Sequence, residues 1–123
     1  MLKPNGMFLM CENSEDGLNE INNWRAALNL KSIEMPWHNR YLKDSEISEV
    51  RIADVSLEEI DYYSSTYYLL SRVLNAALAR DSGLEPSYES PINQMALKLP
   101  SIGKFGQGRI WVWRKKQPKA IGD

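Results

Sequence analysis

Apolar residues between positions 56 and 83 recur at steps of three and four, which is the spacing of one face of an α-helix. The pattern opens at Ser56, with Glu59 three positions later, a pair typical of a capped helix N-terminus. It closes at Gly83, shortly before Pro86. The sequence therefore predicts a helix over 56–83 on which the rest of the chain packs. Its predicted apolar face is Ile60, Tyr63, Tyr67, Leu70, Leu74 and Ala77.

Shorter patterns on both sides of this helix predict a second helix and several strands. Apolar residues at helical spacing from Leu18 to Leu28 predict a first helix at 16–29. The polar stretches 37–46 and 84–90 are expected to be loops. Apolar and alternating runs predict strands at 7–11, 32–35, 49–55, 95–99 and 109–113.

This order of elements predicts an α+β domain with a largely antiparallel sheet of four to five strands and two helices packed on one face. It is compatible with a ferredoxin-like split βαβ unit to which a C-terminal hairpin adds a strand. A chain of 123 residues has the length of a single domain. We expect residues 1–114 to form that domain and residues 115–123 to be a frayed basic tail.

The predicted hairpin joins strands 95–99 and 109–113, and its register decides which residues face outward. A slip of one residue would exchange the two faces. The register that best separates aliphatic from charged residues places Met95, Leu97 and Leu99 beside the aliphatic residues of the second strand. We favour this register, in which two indoles point outward among cations. The outward face is then Lys98, Arg109, Trp111, Trp113 and Lys115.

A sheet face with two tryptophans and several cations suits two kinds of partner. Trp and Arg are enriched where proteins bind one another, and indoles beside cations can stack bases while phosphates are neutralised. The interpretation that we favour is a small non-enzymatic protein-binding module that docks on another protein or on itself. An adaptor, an inhibitor or an immunity-type protein would be of this kind. The alternative is a single-stranded nucleic-acid-binding protein. In a third interpretation both rings are covered, and neither surface exists.

The loop between the two predicted strands supplies part of the expected contact. A phosphate-binding loop leads into a helix N-terminus, whereas Gly103, Gly106 and Gly108 lead into a predicted strand. We therefore interpret these glycines as a hairpin tip that presents Phe105 as an exposed anchor. The predicted contact residues are Lys98, Lys104, Phe105, Arg109, Trp111, Trp113, Arg114, Lys115 and Lys116.

Charge is divided unevenly along the chain. Residues 1–89 contain eight Lys and Arg against fifteen Asp and Glu, whereas residues 90–123 contain seven Lys and Arg and one acid. Such a division suits a polyanion-binding end, or two surfaces for opposite partners. It suits equally a fold in which the two parts neutralise each other.

Residues that support enzymatic or metal chemistry are scarce. Cys11 and His38 are the only cysteine and histidine, which is too few for a zinc site, and Cys11 lies in an apolar run where a thiolate is disfavoured. The acids Glu12, Glu15 and Asp16 fit the first turn of a helix. We therefore expect no enzyme, no cofactor and no metal. The single cysteine and the absence of signal-peptide and membrane-spanning patterns indicate a cytoplasmic protein without a membrane partner.

Overall fold

Three strands and four helices follow one another in the computed structural model, which describes residues 3–116. Together they form one small α+β domain. The strands are β1 (Met7–Asn13), β2 (Val55–Asp61) and β3 (Gly108–Lys115). The helices are α1 (Glu15–Ala27), α2 (Asp44–Ser48), α3 (65–81) and α4 (Pro91–Ala96). Helix α3 is continuous and consists of α-helical Ser65–Tyr67, the wider π-helical segment Tyr68–Asn75, and α-helical Ala76–Asp81.

The sheet is antiparallel, and its last strand in the sequence lies in its centre. Strand β3 pairs with β1 on one side and with β2 on the other. Trp111 lies opposite Met10 of β1 and Ile60 of β2. A register shift between Leu57 and Glu59 marks a bulge in β2. The two flanking strands are therefore joined to each other only through β3.

The two faces of the sheet are covered to different extents. On the inner face, the side chains of Trp111 and Trp113 are 0% and 8% exposed, and they pack with Ile47 of α2. On the outer face, Leu9 is 58% exposed and lies opposite Val112. Because each indole buries about 150–250 Å², these two rings dominate the core of the inner face.

Helix α3 packs against α1 and α4 and forms a helical layer with them. Ile21 of α1 and Val73 of α3 are buried in this layer. Helix α1 is capped by Ser14, whose Oγ accepts a hydrogen bond of 3.0 Å from the Gly17 N–H. A Cβ atom at Gly17 would lie 2.1 Å from the carbonyl oxygen of Gly106. The start of α1 therefore lies directly against the loop that leads into β3.

The long helix predicted at 56–83 is two elements. Its first part is β2, which pairs with β3, and the helix begins only at Ser65, after Ser64 takes a left-handed conformation with φ 60°. The bulge explains the misleading pattern, because it places Leu57 and Ile60 on the same face although they are three residues apart. Three-residue spacing in a bulged strand imitates the spacing of a helix. The helical prediction is confirmed for 65–81.

The predicted C-terminal hairpin is wrong. Residues 91–96 form α4, because Ser90 Oγ caps the Asn93 N–H at 3.3 Å and Pro91 occupies the first helical position. The described residues also contain no strand at 32–35. Within residues 3–116 the sheet therefore has three strands rather than four to five, and there are four helices rather than two. The ferredoxin-like arrangement with an added hairpin strand is excluded by this order and by the missing hairpin.

Predictions that rest on short local patterns gave mixed results. The first strand and the first helix are confirmed as β1 and α1, and 84–90 is a loop as expected. The strand predicted at 49–55 begins only at Val55. Helix α2 starts inside the stretch 37–46 that was predicted to be a loop.

Lys115 and Lys116, the first two residues of the predicted tail, belong to the described fold. Strand β3 continues through Lys115, and the Lys116 N–H donates a hydrogen bond of 2.6 Å to the Asp54 carbonyl. Residues 117–123 of the predicted tail lie outside the described part of the chain. Among residues 3–116, no helix is both long enough and apolar enough to cross a bilayer.

We predict that Gly17→Ala destabilises the protein although Ala is the better helix former. Replacing a helical glycine by alanine ordinarily gains about 0.5–1 kcal/mol, but here the new Cβ would overlap the Gly106 carbonyl oxygen. Overpacking of this kind costs about 1–3 kcal/mol. Urea denaturation followed by circular dichroism measures the free energy of unfolding.

Asn19→Ala, on the exposed side of the same helix, is the matched control and should change that free energy by less than about 0.5 kcal/mol. A Gly17→Ala protein as stable as the wild type would contradict the close approach.

Candidate functional site

Both tryptophans of the predicted contact surface point inward. Arg109, Trp111 and Trp113 do share one face of β3, as predicted, but that face is the covered one. The cause is the central position of β3, whose inner face lies under α2. The Phe8 ring lies 5.8 Å from the Trp113 ring and covers it further. The prediction that two indoles point outward is therefore wrong, and binding by base stacking has no platform at these positions.

Arg109 is a buried structural cation. Its side chain is 4% exposed, and its guanidinium lies 4.4 Å from the centre of the Tyr62 ring. Nη1 donates a hydrogen bond of 2.5 Å to the Gly106 carbonyl. Nε lies 3.5 Å from Asp44 Oδ1, which is an ion-pair distance without hydrogen-bond geometry. Asp44 also accepts a hydrogen bond of 2.7 Å from Ser14 Oγ, so this cluster joins α1, α2 and β3 inside the protein.

The other predicted basic contact residues do not form one surface. Arg114 pairs with Glu58 at 2.7 Å on the outer face of the sheet, whereas Lys115 lines an apolar pocket on the inner face. Lys98 is exposed after α4. Lys104 lies 5.5 Å from the centre of the Tyr62 ring. These cations are thus spread over different sides of the molecule, and a role for each of them in binding stays a prediction.

The predicted anchor Phe105 is half-buried. Its ring packs edge-to-face on Trp24 of α1, with 5.2 Å between the ring centres. It therefore helps to hold the loop before β3 against α1. Phe105 is not the free tip of a hairpin, because the structure contains no hairpin at this place.

Cys11 and His38 contact different aromatic residues. Cys11 is exposed on β1, and its Sγ lies 3.4 Å from the Tyr63 hydroxyl oxygen; this hydrogen-bonded contact and partial burial raise the pKa of Tyr63. The thiol of Cys11 therefore lies at the surface, although the residue belongs to an apolar run. His38 packs against the exposed Trp37 ring. Within residues 3–116, no group of three or more His, Cys, Asp or Glu side chains could hold a metal ion.

A surface that the sequence analysis did not predict is formed on the helical layer. Two adjoining depressions, of about 600 and about 470 Å³, share Leu28 and Leu74. We call them together the helical groove. They lie over α3, between α1 and α4, and no charged side chain lines them. The lining residues of the helical groove are Asn23, Trp24, Ala27, Leu28, Leu69, Leu70, Val73, Leu74, Ala77, Leu78, Ile92, Met95 and Leu99.

The helical groove has a buried floor and exposed walls. Val73 and Ala77 of α3 are buried and form its floor. Leu78 and Met95 stand at its side and are 55% and 64% exposed. Large apolar side chains in such a contiguous arrangement are unusual on the surface of a monomer that has no partner. The groove is therefore the strongest candidate for a contact surface.

The sequence contained a signal for this groove that competed with a stronger one. Ser90 followed by Pro91 is typical of a helix start, and Met95 and Leu99 are four residues apart. Met95, Leu97 and Leu99 also alternate, however, and alternation indicates a strand. The alternation determined the prediction, and one wall of the groove was consequently assigned to a sheet.

Comparison of the chain with models of protein families, with curated proteins and with solved structures found no match. No relative therefore supplies a function or a set of functional residues. The argument for function rests on the geometry and the chemistry of the helical groove and of the surfaces around it.

We predict that Asp44 and Arg109 are energetically coupled. Asp44→Ala leaves the Arg109 guanidinium buried without a counter-charge, which should lower the free energy of unfolding by about 2–3 kcal/mol. This loss is below the usual range for a buried pair because the Asp44 side chain is 33% exposed. Arg109→Met should then lower the free energy of unfolding less in the Asp44→Ala protein than it does in the wild type. The difference between the two losses should be about 1 kcal/mol or more. A double-mutant cycle of unfolding free energies measures this difference.

The exposed pair Arg80–Asp81 is the matched control for this cycle. Its side chains are 42% and 65% exposed, and their nitrogen and oxygen atoms are 3.0 Å apart. Water screens such a pair, so its coupling energy should be below about 0.5 kcal/mol. Strict additivity at Asp44 and Arg109 would refute the structural role given to their contact.

Proposed function

We propose that this chain is a small non-enzymatic protein-binding module that associates with a second copy of itself through the helical groove. The observation that supports this proposal is the apolar lining of the groove. Its thirteen lining residues include one polar side chain, Asn23, and no charged one. A concave surface of this composition favours an apolar protein partner over a charged polymer.

Exposure of the groove gives the driving force for association. Burying apolar surface gains about 25 cal/mol for each Å² removed from water. Six of the large groove side chains are at least 36% exposed, so a partner that covers them removes a continuous apolar area from water. They are Trp24, Leu28, Leu74, Leu78, Met95 and Leu99.

A second copy fits the groove for two reasons. In a twofold dimer the same patch faces itself, and a patch without charged side chains meets no like charge when it does so. The groove also has a raised wall and a recessed floor. The wall that carries Met95 in one copy can therefore pack over the floor at Ala77 in the other. Dimer interfaces of this kind are more apolar than the rest of the protein surface.

The proposed class of function is the one that the sequence predicted, but the contact surface is different. A protein-binding module was expected to act through Trp111 and Trp113, and both rings lie in the core. The helical groove replaces them as the contact. A cytoplasmic location is part of the same proposal, because the exposed thiol of Cys11 suits a reducing compartment.

We expect the wild-type protein to be dimeric with a dissociation constant in about the micromolar range, and Leu78→Lys to weaken the dimer at least tenfold. A lysine at this position places a hydrated cation in the apolar contact. Sedimentation equilibrium over a range of protein concentrations measures the dissociation constant. Leu78 is exposed near the end of α3, where a cation is compatible with the helix dipole, so the variant should keep the wild-type circular dichroism spectrum.

Leu9→Lys is the matched control for this experiment. Leu9 is 58% exposed, nearly the same as Leu78, but it lies on the outer face of the sheet. This variant should dimerise like the wild type. A wild-type protein that stays monomeric at high concentration would refute the proposal. Disruption of a dimer by Leu9→Lys and not by Leu78→Lys would place the contact on the sheet and would refute it equally.

A further inference from the structure

A second depression, separate from the helical groove, carries two arginines and several other polar side chains. It is a cavity of about 220 Å³ between α1, the π-helical segment of α3 and the loop before α4. No Asp or Glu side chain lines it, and it shares no lining residue with the helical groove. We call it the polar cavity. The polar side chains on which the argument rests are Arg25, Ser71, Arg72, Asn75, Tyr88 and Asn93.

Asn93 presents an acceptor without a donor. Its side chain is 2% exposed, and its Nδ2 donates a hydrogen bond of 3.0 Å to the Ser87 carbonyl. Because a carbonyl can only accept, this contact fixes which end of the amide is the nitrogen. Oδ1 is therefore the atom that has no partner among the described residues. Buried acceptors without a donor are rare in folded proteins, and this one belongs to a side chain that lines a cavity.

The side chains of two arginines line the same cavity as this acceptor. Arg25 is held by main-chain oxygens, with Nη1 donating to the Arg72 carbonyl at 2.5 Å and Nε to the Lys31 carbonyl at 2.9 Å. Arg72 donates one long hydrogen bond of 3.5 Å to the Tyr88 hydroxyl and lies 5.5 Å from the centre of that ring. Within residues 3–116, neither guanidinium forms an ion pair with a carboxylate.

The charge of Arg72 affects both Arg25 and Tyr88. Burial, together with the charge of Arg72, lowers the pKa of Arg25. The hydrogen bond from Arg72 lowers the pKa of the Tyr88 hydroxyl. Both directions indicate positive potential that no acidic side chain at the cavity compensates. An anion between the two guanidinium groups would relieve the repulsion, and a carboxylate matches the planar donor geometry of arginine.

We propose that the polar cavity binds a small zwitterion of the α-amino acid type. Its carboxylate lies between the guanidinium groups of Arg25 and Arg72, and its ammonium group donates to Asn93 Oδ1. The hydroxyl of Ser71 and the amide of Asn75, both on the π-helical segment, line the same cavity. Segments of π-helix occur frequently at functional sites.

The size and polarity of the cavity restrict the ligand. At about 220 Å³ the cavity is smaller than the pockets that hold larger ligands, which suits a small amino acid. Drug-sized and nucleotide-sized ligands occupy pockets of about 300–1,000 Å³. A simple anion such as acetate satisfies the two arginines and leaves Asn93 Oδ1 without a donor. The site is independent of the proposed dimer contact, so it can be tested whether or not the protein dimerises.

Isothermal titration calorimetry and thermal unfolding with a panel of small probes test this proposal on the full chain. The panel consists of the amino acids glycine, alanine, serine and tryptophan. Acetate, methylamine and inorganic phosphate are the controls, because each carries charge of one sign only. We expect one or more of the three small amino acids to bind with a dissociation constant below about 1 mM and to raise the melting temperature. Each of the three control ions and tryptophan should bind at least tenfold more weakly.

Two variants and one control assign the binding to the polar cavity. Arg72→Met should weaken amino acid binding at least tenfold. Asn93→Leu should do the same for amino acids while leaving the weak binding of acetate unchanged, because it removes the acceptor of the ammonium group and neither guanidinium. It also removes the Asn93 Nδ2 hydrogen bond to the Ser87 carbonyl, so circular dichroism must first show that the variant is folded. Arg51→Met removes a guanidinium that is also bound to main-chain carbonyls but lies outside the cavity, and it should bind like the wild type.

The ligand panel on the wild-type protein keeps the proposal falsifiable if a cavity variant fails to fold. Absence of binding by every small amino acid at about 10 mM would overturn it. Equal binding of acetate or phosphate would also overturn it, because the site would then be a general anion site. Undiminished amino acid binding by a folded Asn93→Leu protein would do so as well.

Discussion

The fold depends on the insertion of β3 between β1 and β2. Neither flanking strand pairs with the other, so the hydrogen-bonded ladders of the sheet all involve β3. The same strand places two indoles in the core and brings Arg109 against Asp44 of α2. The loop in front of it lies against Gly17 at the start of α1. One central strand thus determines the positions of the two other strands and of two helices.

Elements with a local pattern could be predicted from the sequence, and those defined by tertiary contacts could not. The apolar run of β1 and the stripe of α1 are local, and both were found. The bulge in β2 gives Leu57 and Ile60 the spacing of a helix, so a strand was assigned to the helix that follows it. The alternation around Trp111 correctly separated the faces of β3. The alternation does not show which of the two faces is covered by another segment. The residue that covers the tryptophans, Ile47, is remote from them in the sequence.

The candidate sites were beyond sequence reasoning for the same physical reason. Arg25, Arg72 and Asn93 come from three separate elements, and their convergence is a product of packing. Helix α3 presents an apolar side to the helical groove and a polar side to the polar cavity. Its π-helical segment, in which hydrogen bonds span one residue more than in an α-helix, displaces side chains from the positions that a regular period gives. Apolar residues at α-helical spacing therefore identify the helix, but they do not show which residues face each neighbouring element.

The central position of β3 also has a consequence for synthesis on the ribosome. About fifty residues separate the end of β2 from the end of β3, and their translation takes about 3–10 s at typical elongation rates. During this interval β1 and β2 are both complete, yet each lacks the strand with which it pairs. Unpaired strand edges with apolar side chains, such as 7–11, are prone to non-native association. The nascent chain thus has a vulnerable period whose length depends on elongation speed, and chaperones that bind extended apolar segments would shield it then.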